Sequence, residues 1–395
     1  MGEGALGAAA DFPAVLADLA VDFQVGVEPH VVSKDLHLLD KYSSSDLVKQ
    51  VSRKIQNLQI EKKLNLMEIC GGHTVAIMRY GINQLIPGNI RLISGPGCPV
   101  CVTELSFIDK AIEYAASNDF IIATFGDLVR VPGSKDTLEK VNGLNNNIRI
   151  VYSPYDALKM AQKNPDKKVI FLAIGFETTA PATASTVMLA RKENISNFFI
   201  LSAHKLTVPA MKVLVHTEEI NISGFICPGH VTTIIGARSY QFLAEEYHIP
   251  AVVSGFEPLD LIQSIYMILS QIKKKKAMTE IEYKRSVTFK GNTRAQDMMY
   301  QVFQKEDVTW RGLGEIRQSG LGLVPEYDMF NIEKIYPVKI KTPGEPKGCI
   351  CGQVLRGVKI PLDCPLFKKI CTPENPVGAC MVSSEGSCAA YFHYS

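Results

Sequence analysis

The apolar residues of this chain fall in short, nearly unbroken runs, and each run stops at Gly, Cys or Pro before an amphipathic stretch begins. That rhythm constrains the fold more than any other feature. A strand with apolar residues on both faces is covered on both sides, as parallel strands in α/β sheets are. The runs are 64–70, 90–94, 120–125, 148–152, 169–175, 198–202, 222–227 and 251–254, with helical spacing between them. At 395 residues the chain exceeds one ordinary domain. We expect an α/β protein with two similar doubly wound parallel-sheet domains of about four βα units each, at 61–160 and 161–279. A C-terminal cysteine-rich domain should follow at 280–395. Residues 1–60 should hold a loose leader, 1–34, and a helix from Asp46 onward capped by Ser43, Ser44 or Ser45.

Charge excludes little else from the reading. Lys and Arg number 42 against 40 Asp and Glu, a balance that gives no electrostatic reason to expect nucleic acid. No apolar run approaches the ~18 residues of a membrane span. No Lys or Arg precedes Lys34, so the charged start of a signal peptide is missing and a cytoplasmic protein is expected. Thiols stay reduced there, yet the chain carries 10 Cys, six of them between 349 and the C-terminus. Metal or redox chemistry is the expected use.

Cys70-Gly71-Gly72-His73-Thr74 falls where the first strand should pass into its helix. Paired glycines allow a tight turn, and a helix N-terminus lowers a nearby thiol pKa, so Cys70 is expected to titrate below about 8.5. Gly95-Pro96-Gly97-Cys98-Pro99-Val100-Cys101 ends the next strand at the same rim. Its C-x-x-C spacing suits metal chelation or a dithiol, and with Cys70 and His73 it could equally close a structural zinc. Gly126-Asp127, Gly175-Phe176-Glu177, Ala203-His204-Lys205, Cys227-Pro228-Gly229-His230 and Gly255-Phe256-Glu257 supply further polar rim residues, as caps or as proton donors. Cys227 has no second Cys nearby and reads as a small buried hydrophobe.

The C-terminal run, Cys349, Cys351, Cys364, Cys371, Cys380 and Cys388, exceeds the four thiols of a cubane iron–sulfur cluster by two. Zinc or disulfides remain alternatives on composition alone. The C-x-x-C lies far from this run in sequence, so the two sites are expected to be separable.

Five stretches together resemble the HypD family of hydrogenase maturation factors: Met67-Glu68-Ile69-Cys70-Gly71-Gly72-His73-Thr74, residues 95–101, Gly175-Phe176-Glu177-Thr178-Thr179-Ala180-Pro181, Gly255-Phe256-Glu257-Pro258-Leu259-Asp260 and Met381-Val382-Ser383-Ser384-Glu385-Gly386. The likeness spans about 60–395. It implies a scaffold for the Fe(CN)2CO unit of [NiFe] hydrogenases rather than a stand-alone turnover enzyme. Its partners would be a HypC-type small chaperone and a HypE-type thiocyanate carrier. By the same resemblance Cys70, Cys98 and Cys101 are the iron and cyanation thiols, with His73 and Thr74 beside them as site residues. A [4Fe-4S] cluster falls to Cys349, Cys364, Cys371 and Cys388, and a redox disulfide to Cys351 and Cys380. Two rival classes stand beside this one: a cluster-driven thiol–disulfide reductase and a zinc-bound interaction scaffold.

Overall fold

The computed structural model describes residues 42–395 apart from 218, 341–343 and 345. The expected leader at 1–34 lies outside the described residues. Nine parallel strands carry the fold: β1 Leu64–Glu68, β2 Ile90–Ser94, β3 Phe120–Thr124, β4 Ile148–Ile150, β5 Lys168–Gly175, β6 Phe198–His204, β7 Gly224–Pro228, β8 Ala251–Ser254 and β9 Thr279–Ile281. They form one sheet of order β2-β1-β7-β8-β9 and another of order β4-β3-β5-β6. Leu66, Met67 and 169–173 are buried, as strands covered on both faces require.

Sheet membership departs from the sequence expectation. The chain leaves the first sheet after β2, builds the whole of the second with β3–β6, and returns for β7–β9. The boundary expected at 160/161 therefore cuts through the four-stranded sheet, and that expected at 279/280 falls inside β9. Apolar runs announce strands but carry no label for their partners. One local reason for the β1–β7 pairing is Gly224, opposite Leu66. A Cβ there would stand 2.5 Å from Ile268 and 3.2 Å from Leu66, so only glycine lets β7 settle between them.

The helix Ser45–Gln56 starts at Ser44, one of the three expected caps, and buries Val48, Val51 and Ile55 among residues of the helix Pro258–Lys273. Not foreseen was an antiparallel hairpin, β10 Phe303–Trp310 and β11 Gly314–Leu323. It meets the edge of the sheet just past β6 through a bridge at Lys205↔Gly320, and the segment that follows it bridges β6 at Ile200↔Asn331, so that an edge otherwise open to pairing is covered. Gly312 at the hairpin turn has φ +80°, and a Cβ there would lie 2.5 Å from the Cα of Gly352. This contact brings the helix Cys351–Leu355 against the hairpin. Trp310, Cys351, Leu355, Cys380 and Val382 enter the same core as Ile170 and Leu172 of β5.

In both sheets the chain turns in opposite directions from one strand: between β1 and β7, and between β3 and β5. The carboxyl ends of strands at such reversals form the natural binding crevice of an open α/β sheet. Cys70 follows β1, Gly229 and His230 follow β7, Asp127 follows β3, and Phe176 and Glu177 follow β5.

Candidate functional site

The two glycine-rich loops are locked together by backbone. Gly71 donates to the carbonyl of Gly97 at 3.0 Å, and a Cβ on Gly97 would sit 2.2 Å from the Cys70 nitrogen. A third segment closes over them, because a Cβ on Gly71 would meet the Glu385 carbonyl at 2.4 Å. The motifs at 70–74, 95–101 and 381–386 are thus one site. The helix Ser387–Tyr394 leads away from it along the helix Gly71–Arg79.

Cys70 caps the helix Gly71–Arg79 with extended backbone and is half-buried. Cys98 caps the four-residue helix Pro99–Val102, its Sγ accepting the Cys101 amide at 3.3 Å. Cys98 and Cys101 are both buried. Of the three thiols of these two loops, Cys70 is the one that meets the surface.

The expected low pKa of Cys70 is not found. Burial pushes its thiol up to about 12, reinforced by the carboxylates of Glu385 and Glu68, and amides of Gly72 and His73 only partly oppose this. Dehydration and two nearby acids outweigh the helix terminus. His73 is held neutral as well. Its Nε2 donates to the carbonyls of Gly255 at 3.0 Å and Ser254 at 3.3 Å, and burial pulls the imidazole down to about 4. The ring lies 4.7 Å from Phe256, and its buried Nδ1 has no hydrogen-bond partner. Thr74 donates its hydroxyl to Glu68, whose other oxygen accepts the Cys70 amide at 2.9 Å. Burial raises Glu68 to about 8.

Glu68 is the site residue that sequence reasoning missed. The signal was present: a carboxylate at the end of a buried strand, two residues before the cysteine, has to find partners or stay protonated. Glu385 was seen only as part of a motif. Asp127, noted at a strand end, accepts from Ser383 of that same segment at 3.0 Å.

All six C-terminal cysteines line one small cavity together with Ile350, Val354, Leu366, Phe367 and Met381. Among the described residues no three His, Cys, Asp or Glu side chains already converge as metal ligands. Cys227 lies apart, fully buried, its thiol pushed up by desolvation.

The expected separation of the two cysteine groups is not observed. Cys101 packs beside Cys98 on one side and Cys380 on the other, in one core with Cys351, as the helix Pro99–Val102 lies against the helix Ala379–Val382. Cys380 in turn meets Cys351 and Cys388, and Cys351 meets Cys349. The C-x-x-C thus packs directly beside the six-cysteine cavity.

Such a molecule is a doubly wound α/β protein whose strand-end crevice is joined by thiols to a cysteine-lined pocket. A family model described as HypD, hydrogenase formation hypA family, matches residues 46–395, and the chain belongs to that family. It is 47% identical over 353 residues to a hydrogenase expression/formation protein of Methanocaldococcus jannaschii, covering 88% of this chain and 97% of that one. It is also similar to the hydrogenase maturation factors HypD of Cupriavidus necator, at 42% identity over 90% of this chain and 96% of the other, and of Escherichia coli, at 41% over 91% and 98%. Among the described residues no helix is long and apolar enough to cross a membrane.

Proposed function

We propose that this protein is a scaffold and redox partner in assembling the Fe(CN)2CO unit of [NiFe] hydrogenases, working in the cytoplasm with a HypC-type chaperone and a HypE-type thiocyanate carrier. The observation that carries the reading is the packing of Cys98 and Cys101 in one core with Cys351 and Cys380, which line the six-cysteine cavity. A structural zinc site has no need of it.

The substrate iron would be held by Cys70, Cys98 and Cys101. A cation there reverses the local electrostatics, since Glu68 and Glu385 disfavour a bare thiolate but favour a metal-bound one. His73, neutral with its Nε2–H engaged, acts as a positioning residue, and Thr74 holds Glu68 under the Cys70 amide.

Cyanide release from a protein thiocyanate balances against a dithiol: R–S–C≡N and two thiols give R–SH, HCN and one disulfide. Two electrons leave the dithiol, and its two protons end on the carrier thiol and on cyanide. Cys98 and Cys101 would supply them while not holding iron, since an oxidised pair no longer ligates it. Exchange through Cys380 would then pass the disulfide to Cys351 and Cys380, the redox pair beside the cavity.

Six thiols around a cavity with apolar walls fit an iron–sulfur cluster better than a hard oxygen-ligated ion. Cys349, Cys364, Cys371 and Cys388 would hold a [4Fe-4S] cluster, which when bound supplies single electrons. Anaerobic purification with metal and sulfide quantification tests the reading: about four iron and four sulfide per chain are expected. Colourless protein with one tightly held zinc would overturn it.

A further inference from the structure

Backbone as well as sulfur lines the six-cysteine cavity, at the end of the turn that follows Cys371. Thr372 and Asn375 exchange backbone hydrogen bonds at 3.3 and 3.1 Å, and the Asn375 side chain donates to the Ile370 carbonyl at 3.1 Å. Arg130, in the segment after β3, donates to the Pro373 carbonyl at 3.3 Å. The turn is thus held both on itself and on the rim of the second sheet. Pro376, its φ fixed by the ring, then directs the chain back to the cysteines.

On that return the Val377 N–H donates to Cys371 Sγ at 3.4 Å. The next residue has no side chain to interpose, and a Cβ at Gly378 would crowd Cys349 Sγ at 3.0 Å. Backbone therefore lies against two of the thiols assigned above to a cluster. A neutral thiol is a weak acceptor and gains little from an N–H donor. A thiolate ligand carries charge, and a charge-assisted bond is about twice as strong.

An electron added to an iron–sulfur cluster spreads onto its thiolates, so an N–H···S bond strengthens on reduction and draws the potential upward. The apolar walls, Ile350, Val354, Leu366, Phe367 and Met381, act in the opposite sense by disfavouring added charge. We propose that the Val377 N–H raises the reduction potential of a [4Fe-4S] cluster held at Cys371, with the turn 372–376 positioning that donor. The inference rests on the cluster reading above and adds to it a residue outside the cysteine set.

The test uses the full chain, labelled with ¹⁵N-valine, purified anaerobically with its cluster and reduced with dithionite. Pulsed EPR of the reduced cluster should show a ¹⁵N coupling that disappears in Val377→Leu, which keeps the N–H but not the label. Val377→Pro removes the donor and should shift the midpoint of an EPR-monitored redox titration to more negative potential. Should that variant lose its cluster, Asn375→Ala frees the turn and should shift the midpoint the same way, by less, with a weaker ¹⁵N coupling. No ¹⁵N coupling, or one that survives in Val377→Leu, would overturn the proposal. So would a midpoint unmoved in the Val377→Pro and Asn375→Ala proteins that retain colour. Wild-type protein without iron and sulfide would overturn the cluster reading itself, and this inference with it.

Discussion

Cys101, fully buried in the C-x-x-C helix, packs in one core with Cys380, which lies on the wall of the six-cysteine cavity. Sequence distance had set these residues in different sites; packing makes them neighbours. Mild oxidation of the metal-free chain should therefore produce a Cys101–Cys380 disulfide, found by peptide mapping as a link between the two segments. Recovery of Cys98–Cys101 and Cys351–Cys380 links alone, under every oxidant tried, would show that the relay is not continuous.

Loss of a cluster ligand should bleach the protein. Cys364→Ala and Cys371→Ala should lose the brown colour and most of the sulfide expected of anaerobic preparations, because a cubane needs four thiolates. Cys227→Ala, in a fully buried position outside the cavity, should keep both. Colour retained in both ligand variants would send the assignment back to the other four cysteines.

Cys70 is the least buried member of the proposed iron-binding trio, so Cys70→Ser should fold but hold little Fe–cyanide in complex with the small chaperone. Infrared spectra decide this, since cyanide on iron absorbs where protein does not. Undiminished bands in the serine variant would reduce Cys70 to a structural cap.

The loop contact that joins the two glycine motifs should be intolerant of a single methyl. Gly97→Ala forces its Cβ to within 2.2 Å of the Cys70 nitrogen and should cost about 1–3 kcal/mol, read as a lowered denaturation midpoint. Gly88→Ala, with nothing within 4 Å, should leave the midpoint unchanged or slightly raised.

His204 should impose a pH dependence on stability. Burial lowers its pKa from 6.5 to about 3, so between those values the unfolded chain binds a proton that the folded chain refuses. Stability must fall as pH falls through that window, by up to about 1.4 kcal/mol per unit for this one group. His204→Phe should remove that contribution. The difference in unfolding free energy between wild type and variant, measured from pH 6.5 to 4.5 on the metal-free chain, should shrink or change sign toward acid. A constant difference would mean that the ring is hydrated in the native state.

The eight strands read from the apolar runs all occur, because burial on both faces demands uninterrupted hydrophobic residues and leaves that demand visible in the chain. The start of the helix Ser45–Gln56 was legible in its serines, although Ser44 makes no side-chain cap hydrogen bond, and the loop placement of Cys70 and Cys98 in the Gly and Pro beside them. The hairpin β10–β11 was not, since its exposed face is polar and bulged and its apolar face makes sense only against β6.

Local pattern thus determined the strands, the turns and which residues carry chemistry. Only the tertiary structure decided that β1 pairs with β7 across an inserted sheet, that Cys101 packs beside Cys380, and that dehydration raises the Cys70 thiol and keeps His73 neutral. Pairing, contact and desolvation all depend on what the rest of the chain brings alongside a residue, and nothing in its immediate sequence records that.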